Sequence, residues 1–417
     1  MPGTQLTGVI RTVTALLLGA AILLTGNGVQ VALLPIRADL EGFSQLDLGL
    51  LGAAYFAGLL AGSLFAPRIT ARVGHIRSFS AFTSIAVTAP LAQAVFISPP
   101  VWWGLRALTG ICFAGLFMVI ESWLNAAADR GTRGRILSTY TLLNLSVVTI
   151  GIQIVGFGDP RSFDLFALIA VLFSLAAVPV VLQVSAAPPP PRQPKLRLAW
   201  LFSVSPAAVM GCFVAGIANG AFWTYAPVFA ARNGLDAKGT AMFLTAVVLG
   251  GAVTLLPIGY LSDRLSRRLV IAAVSALASL AGIGLYFESG GPRYGLIALG
   301  TLYGGMAYPL HAVCTAHAND LVLPKRAIEV SSGLLLMFSV GAILGPLMAS
   351  LAIGIGGHAA LFLTSATAHG AIAVVMVLRL LVRPRTKERK PVFVPVLETT
   401  PQAFDLAAPA GGEDRKS

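Results

Sequence analysis

The chain has 417 residues, of which 56% are hydrophobic and only 11% are charged. A soluble domain carries about a quarter charged residues, and a soluble protein this apolar would expose large patches and aggregate. Composition therefore places the chain in a membrane. Its net charge of +12 is spread in short basic clusters between apolar runs, a pattern typical of topology signals that argues against a nucleic-acid partner.

Twelve apolar segments long enough to cross a bilayer follow one another along the chain. A transmembrane helix needs roughly 20 mostly apolar residues. Segments of this kind lie near 11–35, 46–67, 76–97, 101–126, 134–157, 163–184, 206–231, 238–261, 268–288, 292–318, 327–353 and 358–382. The first is too long for the apolar region of a signal peptide and no small-residue cleavage site follows it, so we expect it to be retained.

A proline-rich stretch divides these segments into two sets of six. Four consecutive prolines at 188–191 cannot continue a helix, so the sequence predicts a polar cytoplasmic linker over 186–202. The first six-helix bundle then covers 1–185 and the second covers 203–382. The charged, proline-broken tail over 383–417 is expected to be disordered.

The two sets of six segments are repeats of each other. At a shift of 192 residues, an asparagine–glycine pair, a proline, a glycine and an arginine recur: Asn27, Gly28, Pro35, Gly58 and Arg72 match Asn219, Gly220, Pro227, Gly250 and Arg264. Because each repeat has an even number of spans, both enter the membrane in the same sense. Two parallel repeats place a substrate path at the pseudo-two-fold axis between them, which indicates transport.

The distribution of basic residues predicts the orientation. With the N-terminus in the cytoplasm, 23 of the 29 lysines and arginines lie on the cytoplasmic side. Only Arg37, Arg161, Arg232, Lys238 and Arg293 fall outside, and Arg106 lies within a span. Since an excess of basic residues marks cytoplasmic loops, we expect a multi-pass protein of the inner membrane with both termini inside.

A charged motif, GYLSDRLSRR over 259–268, connects the eighth and ninth segments. An acid at a helix end beside several arginines can form a charge latch between neighbouring helices, broken and remade as the two halves move. We expect Gly259, Asp263, Arg264, Arg267 and Arg268 to form this latch. The alternative is a basic loop that only sets topology.

The equivalent loop of the first half is degenerate, because it keeps Arg72 and Gly74 but has Ala71 at the acid position. A cytoplasmic acid for that half would have to come from elsewhere. The candidates are the acids Glu121 and Asp129, with Arg133 and Arg135 as basic partners.

The loop at 259–268 resembles the G-x-L-a-D-r-x-G-r-r signature of the major facilitator superfamily, with Ser266 where glycine is usual. The run from Arg106 to Gly110 is similar to the R-x-x-x-G motif of that family's fourth helix, in which the arginine is often tied to proton coupling. The resemblance spans all twelve segments, and the chain looks like a member of a sparsely characterised bacterial branch of that family. It implies an all-α membrane fold of two six-helix bundles related by a pseudo-two-fold axis, with the first, fourth, seventh and tenth helices lining a central cavity.

Gly341, Gly345 and Pro346 in the eleventh segment look like a motif that drug/proton antiporters carry in their fifth helix. This chain's fifth segment has no glycine–proline pair, so close helix packing is the sufficient explanation.

Polar residues are rare inside the spans, so each is a candidate for function. The substrate-cavity candidates are Asn27, Gln30, Arg106, Asn219, Trp223, Tyr308, His311 and Thr315, and the coupling candidates are Glu121, Arg106 and His311. For each, a structural hydrogen bond or a packing role is the alternative. Arg106 and Glu121 are fifteen residues apart on one helix, about 22 Å along its axis, so they cannot pair directly.

These patterns predict a secondary transporter that moves a small organic solute by alternating access, coupled to protons, with export favoured over uptake. No ATP-binding P-loop, catalytic triad or metal-spaced cluster occurs, so we expect no enzyme activity, cofactor or metal. The expected partners are the solute, protons and the lipid bilayer, and we expect a monomer. The alternatives are a non-transporting membrane sensor on the same scaffold, motivated by Ala71 and the scarcity of cavity charges, and, less favoured, a lipid flippase or a channel.

Overall fold

The computed structural model describes the backbone of residues 2–128, 133–182, 197–323, 326–382 and 400, and their side chains from residue 13 onward except at 133–135, 137 and 328. Six helices form the first half: α1 (Pro2–Leu40), α2 (Gln45–Val73), α3 (His75–Val95), α4 (Pro99–Ala127), α5 (Arg133–Val155) and α6 (Asp164–Val181). The second half comprises α7 (Leu198–Val204), α8 (Pro206–Arg232), α9 (Ala237–Arg264), α10 (Arg267–Phe287), α11 (Arg293–Ala307), α12 (Pro309–Asp320), α13 (Ala327–Gly356) and α14 (Ala360–Val382).

The predicted all-helical architecture is confirmed. Over the described residues, twelve segments are long and apolar enough to cross a membrane, and no strand occurs. The most central of them are α4 and α8, because 83% and 78% of their apolar windows are buried inside the protein. Helices buried on nearly all sides can carry polar groups only where a cavity or a partner receives them.

Two details differ from the sequence prediction. The tenth span consists of two helices, α11 and α12, since Pro309 has no N–H to continue the helical hydrogen bonds beyond Tyr308. The predicted linker over 186–202 contains the start of α7, an apolar seven-residue helix anchored by the buried side chain of Leu201. The linker up to residue 196 and the predicted tail, apart from Thr400, lie outside the described residues.

The same glycine contacts hold helix pairs together in both halves. A methyl group on Gly58 of α2 would lie 2.1 Å from the Ala107 carbonyl oxygen of α4, and one on Gly250 of α9 would lie 2.2 Å from the Thr301 carbonyl oxygen of α11. Gly28 in turn packs against α5, as its repeat partner Gly220 packs against α13. The backbones therefore approach so closely that no side chain fits, and the sequence repeat corresponds to a repeat in packing.

The predicted packing motif on α13 behaves in the same way. Methyl groups on Gly341 and Gly345 would lie 2.1 and 2.2 Å from the carbonyl oxygens of Phe213 and Ile217 on α8. Pro346 follows within α13, and its carbonyl oxygen faces Gly49 of α2 in the first half. These glycines bring α8 and α13 together beside the interface between the halves.

Candidate functional site

A cavity of about 210 Å³ lies between the two halves. Helices α1, α2, α4 and α5 line it from the first half, and α8 and α13 line it from the second. Its polar lining residues are Asn27, Tyr55, Arg106, Asn144, Asn219, Trp223 and Thr224, and the rest of the wall is formed by aliphatic, glycine and phenylalanine residues. A concave, mostly apolar site with a few convergent polar groups is the usual form of a small-molecule site.

Arg106 reaches the cavity from α4. Trp102, Arg106, Thr109 and Phe113 are buried and follow one another at helical spacing, so they share the face of α4 that points into the protein. The Arg106 guanidinium lies 4.0 Å from the centre of the Tyr55 ring and donates a hydrogen bond to the Gln30 side-chain oxygen at 3.1 Å. Both contacts are to neutral groups, so they orient the charge without cancelling it.

The repeat-related asparagines enter the cavity from opposite halves. Asn27 of α1 and Asn219 of α8 both line it, and Asn144 of α5 adds a third amide that the sequence did not single out. The side-chain oxygen of Asn27 is buried without a hydrogen-bond partner among the described residues. Gln30, one turn further along α1, is fully buried and reaches the cavity through its contact with Arg106.

The expected tenth-span residues lie elsewhere. Tyr308 borders a smaller recess of about 20 Å³ that it shares with Asn219 and Phe338. His311 packs edge-on against the Phe338 ring at 5.1 Å, and Thr315 is buried one turn further along α12. Neither lines the 210 Å³ cavity, although Phe338, which His311 contacts, does.

Glu121 lies on the same helix as Arg106 but far from the cavity. Its side chain is fully buried, the Tyr140 hydroxyl faces it from α5, and the Thr400 hydroxyl donates a hydrogen bond to its carboxylate. Thr400 belongs to the C-terminal tail, so this contact links the tail to the first half. The side chains of Arg133 and Arg135, and all of Asp129, lie outside the described residues.

The latch motif of the second half forms a buried charge cluster. The Arg267 guanidinium pairs with the Asp320 carboxylate at the end of α12, with Asp263 at 3.2 Å and with the Ser262 hydroxyl at 2.9 Å. Arg267 is fully buried, and the side chain of Asp320 is as well. The cluster therefore ties together the ends of α9, α10 and α12.

The other predicted members of this latch have different surroundings. Arg264 is exposed and lies over the Tyr260 ring at 4.3 Å, Arg268 is half-buried, and the Gly259 carbonyl oxygen accepts a hydrogen bond from Ser262. Asp320, the buried acid of the cluster, was not among the residues predicted to form this latch.

The equivalent loop of the first half contains no such cluster among its described residues. Arg72 and Ala71 are exposed, and Gly74 adopts a φ of 84° in the turn between α2 and α3. At the position that matches Arg267 stands His75, which is buried with its ring centre 5.7 Å from that of Trp123 on α4. This loop is thus held by aromatic packing.

Contacts between the halves concentrate at one end of the molecule, which carries the loops 41–44, 156–163, 233–236 and 357–359 and is called here the outer end. Arg232 at the end of α8 donates two hydrogen bonds, of 3.0 and 2.9 Å, to Asp39 near the end of α1. Nearby, the Tyr225 hydroxyl donates to the Gln45 carbonyl oxygen. These residues close the cavity at the outer end.

Two further groups belong to this closure. The Gln153 amide of α5 donates to the Thr245 hydroxyl and the Ala241 carbonyl oxygen of α9. His358 lies close to Arg232 and Asp39, and burial, followed by the charge of Arg232, lowers its pKa, while Asp39 opposes the shift. None of the contacts of the outer closure was predicted from the sequence. The signal that could have found them is that Asp39 and Arg232 lie at matching ends of repeat-related helices.

Comparison with known proteins gives one consistent family. The sequence model of the Major Facilitator Superfamily (MFS) matches residues 16–247 and 210–406. An uncharacterized MFS-type transporter of Yersinia enterocolitica is 23% identical over 380 residues, which cover 90% of this chain and 96% of that protein. The uncharacterized MFS-type transporter YcaD of Escherichia fergusonii is 22% identical over 338 residues, covering 81% and 87%.

Solved structures share the fold. The nucleoside transporter NupG superimposes with a TM-score of 0.71 at 13% identity, over 89% of this chain and all of that one. A bacterial homologue of the human lysosomal transporter Spinster, solved in an inward-facing and unoccupied conformation, gives a TM-score of 0.69 at 15% identity, over 96% and 97% of the two chains. At these identities the likeness concerns the fold alone.

Proposed function

This chain belongs to the Major Facilitator Superfamily, and we propose that it is a secondary transporter that carries a small organic solute across the inner membrane by alternating access. The observation that carries the proposal is the 210 Å³ cavity, which both halves line and which the Asp39–Arg232 and Tyr225–Gln45 contacts close at the outer end. A site between two parallel repeats becomes accessible from either side when the halves rock about it.

The orientation of the cycle follows from the charge distribution. With 23 of the 29 basic residues on the cytoplasmic side, the outer end faces away from the cytoplasm. We propose that this is an inward-facing state, and that outward opening requires the contacts around Asp39 to break. The buried Arg267 cluster lies within the second half at the inner end, so we propose that it keeps α9, α10 and α12 moving as one body.

Proton coupling and export are the finer parts of the proposal. The coupling candidates Glu121 and His311 are buried and neither lies in the cavity, so coupling through them would act on helix positions and not on the solute directly. Export is favoured because the mostly apolar cavity suits an amphipathic solute.

Transport is tested with purified protein in liposomes that contain an internal pH dye, challenged with a panel of organic solutes. Proton flux that follows one solute, and that is lost in Glu121→Gln, supports coupled transport. Arg106→Ala should abolish solute flux as well, and Arg68→Ala, which removes an exposed arginine outside the cavity, is its matched control. Solute counterflow without proton movement leaves a uniporter, and the absence of any solute flux contradicts the proposal.

The Thr400–Glu121 contact favours one alternative, a sensor whose tail reports on the bundle. A sensor binds its ligand without moving it and needs the tail over 383–417. Truncation after Val382 separates the two functions: a transporter retains solute flux, whereas a sensor shows no flux before or after truncation and loses its signal.

A further inference from the structure

Among the described residues that line the cavity, Arg106 carries the only charged side chain, and the phenol of Tyr55 is the only other group there that can ionise. We infer that the solute is a small organic monocarboxylate with an apolar or aromatic body, whose carboxylate pairs with Arg106. This inference rests on the proposed function, because it names the class of solute that the same cavity carries.

The charge of Arg106 is held but not neutralised. Its partners are the neutral amide of Gln30, at 3.1 Å, and the face of the Tyr55 ring, at 4.0 Å. The side chain is 7% exposed, and a buried charge at membrane depth is costly unless an opposite charge or water meets it. A carboxylate entering the cavity supplies that opposite charge, and guanidinium groups bind carboxylates through two parallel hydrogen bonds.

The rest of the lining selects against other classes of solute. No aspartate or glutamate occurs among the lining residues that the structure describes, so an organic cation finds no counter-ion and is repelled by Arg106. The three asparagines offer polar contacts without charge. The single positive charge of Arg106 pairs with a single carboxylate. A second carboxylate on the solute would lie unpaired against apolar lining residues.

The size and the walls of the cavity define the body of the solute. A cavity of about 210 Å³ has room for several water molecules. A small organic acid with an aromatic or branched aliphatic body therefore fits inside it. Trp223, Phe56 and Phe338 line the cavity together with leucines and valines, so aromatic or branched aliphatic bodies are accommodated. Benzoate has this size and chemistry.

Binding is measured by tryptophan fluorescence of the purified protein, because Trp223 lies in the cavity. The probes are benzoate, the neutral benzamide and the cationic benzylamine. For solutes of this size the expected Kd is about millimolar, with benzoate binding at least tenfold more tightly than benzamide and benzylamine not binding. Trp223→Phe should abolish the signal.

Gln30→Glu is the decisive variant. It keeps the shape of the side chain and places a carboxylate where an amide oxygen already contacts Arg106, so the cavity receives an internal counter-ion. Benzoate affinity should fall at least tenfold while benzamide affinity changes less than threefold. Arg106→Gln should have the same effect, and Arg68→Gln should have none. Because the glutamate can pair with Arg106, Gln30→Glu is expected to fold and keeps the inference testable should Arg106→Gln fail to fold.

The outcomes for the inference and for the proposed function are separate. Equal binding of benzoate and benzamide, undetectable benzoate binding, or full benzoate affinity in Gln30→Glu overturns the inference, even where another solute is transported. Selective benzoate binding that needs Arg106, without any flux in liposomes, upholds the anion site and overturns transport.

Discussion

The buried pair between Arg267 and Asp320 makes a quantitative prediction about stability. Both side chains are shielded from solvent, so removing the acid leaves a buried guanidinium whose remaining acid, Asp263, is 24% exposed. Breaking a buried pair by removing one partner costs about 3–5 kcal/mol. Because Asp263 and Ser262 stay in contact with Arg267, we expect Asp320→Asn to destabilise the protein by about 3 kcal/mol, the low end of that range.

Asp263→Asn should cost much less. Its carboxylate is partly solvated in the native state, and exposed ion pairs contribute about 0–1 kcal/mol. For a unit of the size of one half, 1 kcal/mol shifts the midpoint of thermal unfolding by about 2–4 °C. The expected shifts are therefore about 6–12 °C for Asp320→Asn and below about 4 °C for Asp263→Asn, measured by intrinsic fluorescence in detergent.

A third variant tests the cause of the loss. When both charges are replaced by apolar side chains of similar volume, the desolvation cost of the pair disappears with its attraction. The double variant Arg267→Met with Asp320→Leu should thus be more stable than Asp320→Asn alone. The reasoning is refuted if Asp263→Asn is the more damaging single change, or if the double variant is as unstable as Asp320→Asn.

Three further predictions concern the outer closure and the helix packing. Arg232→Gln removes a half-exposed ion pair with Asp39, which contributes about 1 kcal/mol or less. The variant should therefore raise the outward-open population up to about fivefold. A cysteine introduced into the cavity should then react faster with a label added from outside. Because burial and Arg232 lower the pKa of His358, its contribution to stability is fully present above the unfolded value of about 6.5 and is lost as the pH falls toward the lowered pKa. His358→Gln should therefore flatten the acid side of the unfolding profile, and an unchanged profile would contradict this. Gly58→Ala should cost about 1–3 kcal/mol by overpacking, whereas Gly104→Ala, which meets open space within a helix, should stabilise by about 0.5–1 kcal/mol.

Much of the fold was predictable because membrane helices carry their signal locally. Span length and hydropathy depend on short stretches of chain, and the 192-residue repeat is detected by comparing short motifs with one another. The same repeat predicted that Asn27 and Asn219 come from opposite halves, and both line the cavity. Arg106 was predictable since a charge inside an apolar helix requires a cavity or a partner.

The pairings across helices were not predictable from local patterns. Arg267 and Asp320 are 53 residues apart, and Arg232 and Asp39 are 193 apart. Which acid meets which arginine depends on how α10 packs against α12 and on how the halves close at the outer end. The position of His311 and Thr315 outside the cavity has a similar origin, because it depends on how α12 packs against its neighbours.

The two halves share their backbone packing but differ in charge at the inner end, and the difference is internally consistent. At the shift of 192 residues, Asp263 corresponds to Ala71 and Arg267 corresponds to His75. The positions that match Asp320 at shifts of 193 and 192 residues, 127 and 128, are both alanine. An arginine at position 75 would therefore lack both acids that Arg267 contacts, and a buried cation without an acid partner costs several kcal/mol. His75 instead packs against Trp123.

In the first half, the lack of an acid at position 71 and the lack of an arginine at position 75 therefore have one explanation. The loop that contains Ala71 is stabilised by the contact between His75 and Trp123. Ala71 therefore does not imply that the protein has lost the conformational change that transport requires. Ala71 then no longer motivates a non-transporting sensor, whose remaining support is the scarcity of cavity charges and the tail contact at Thr400.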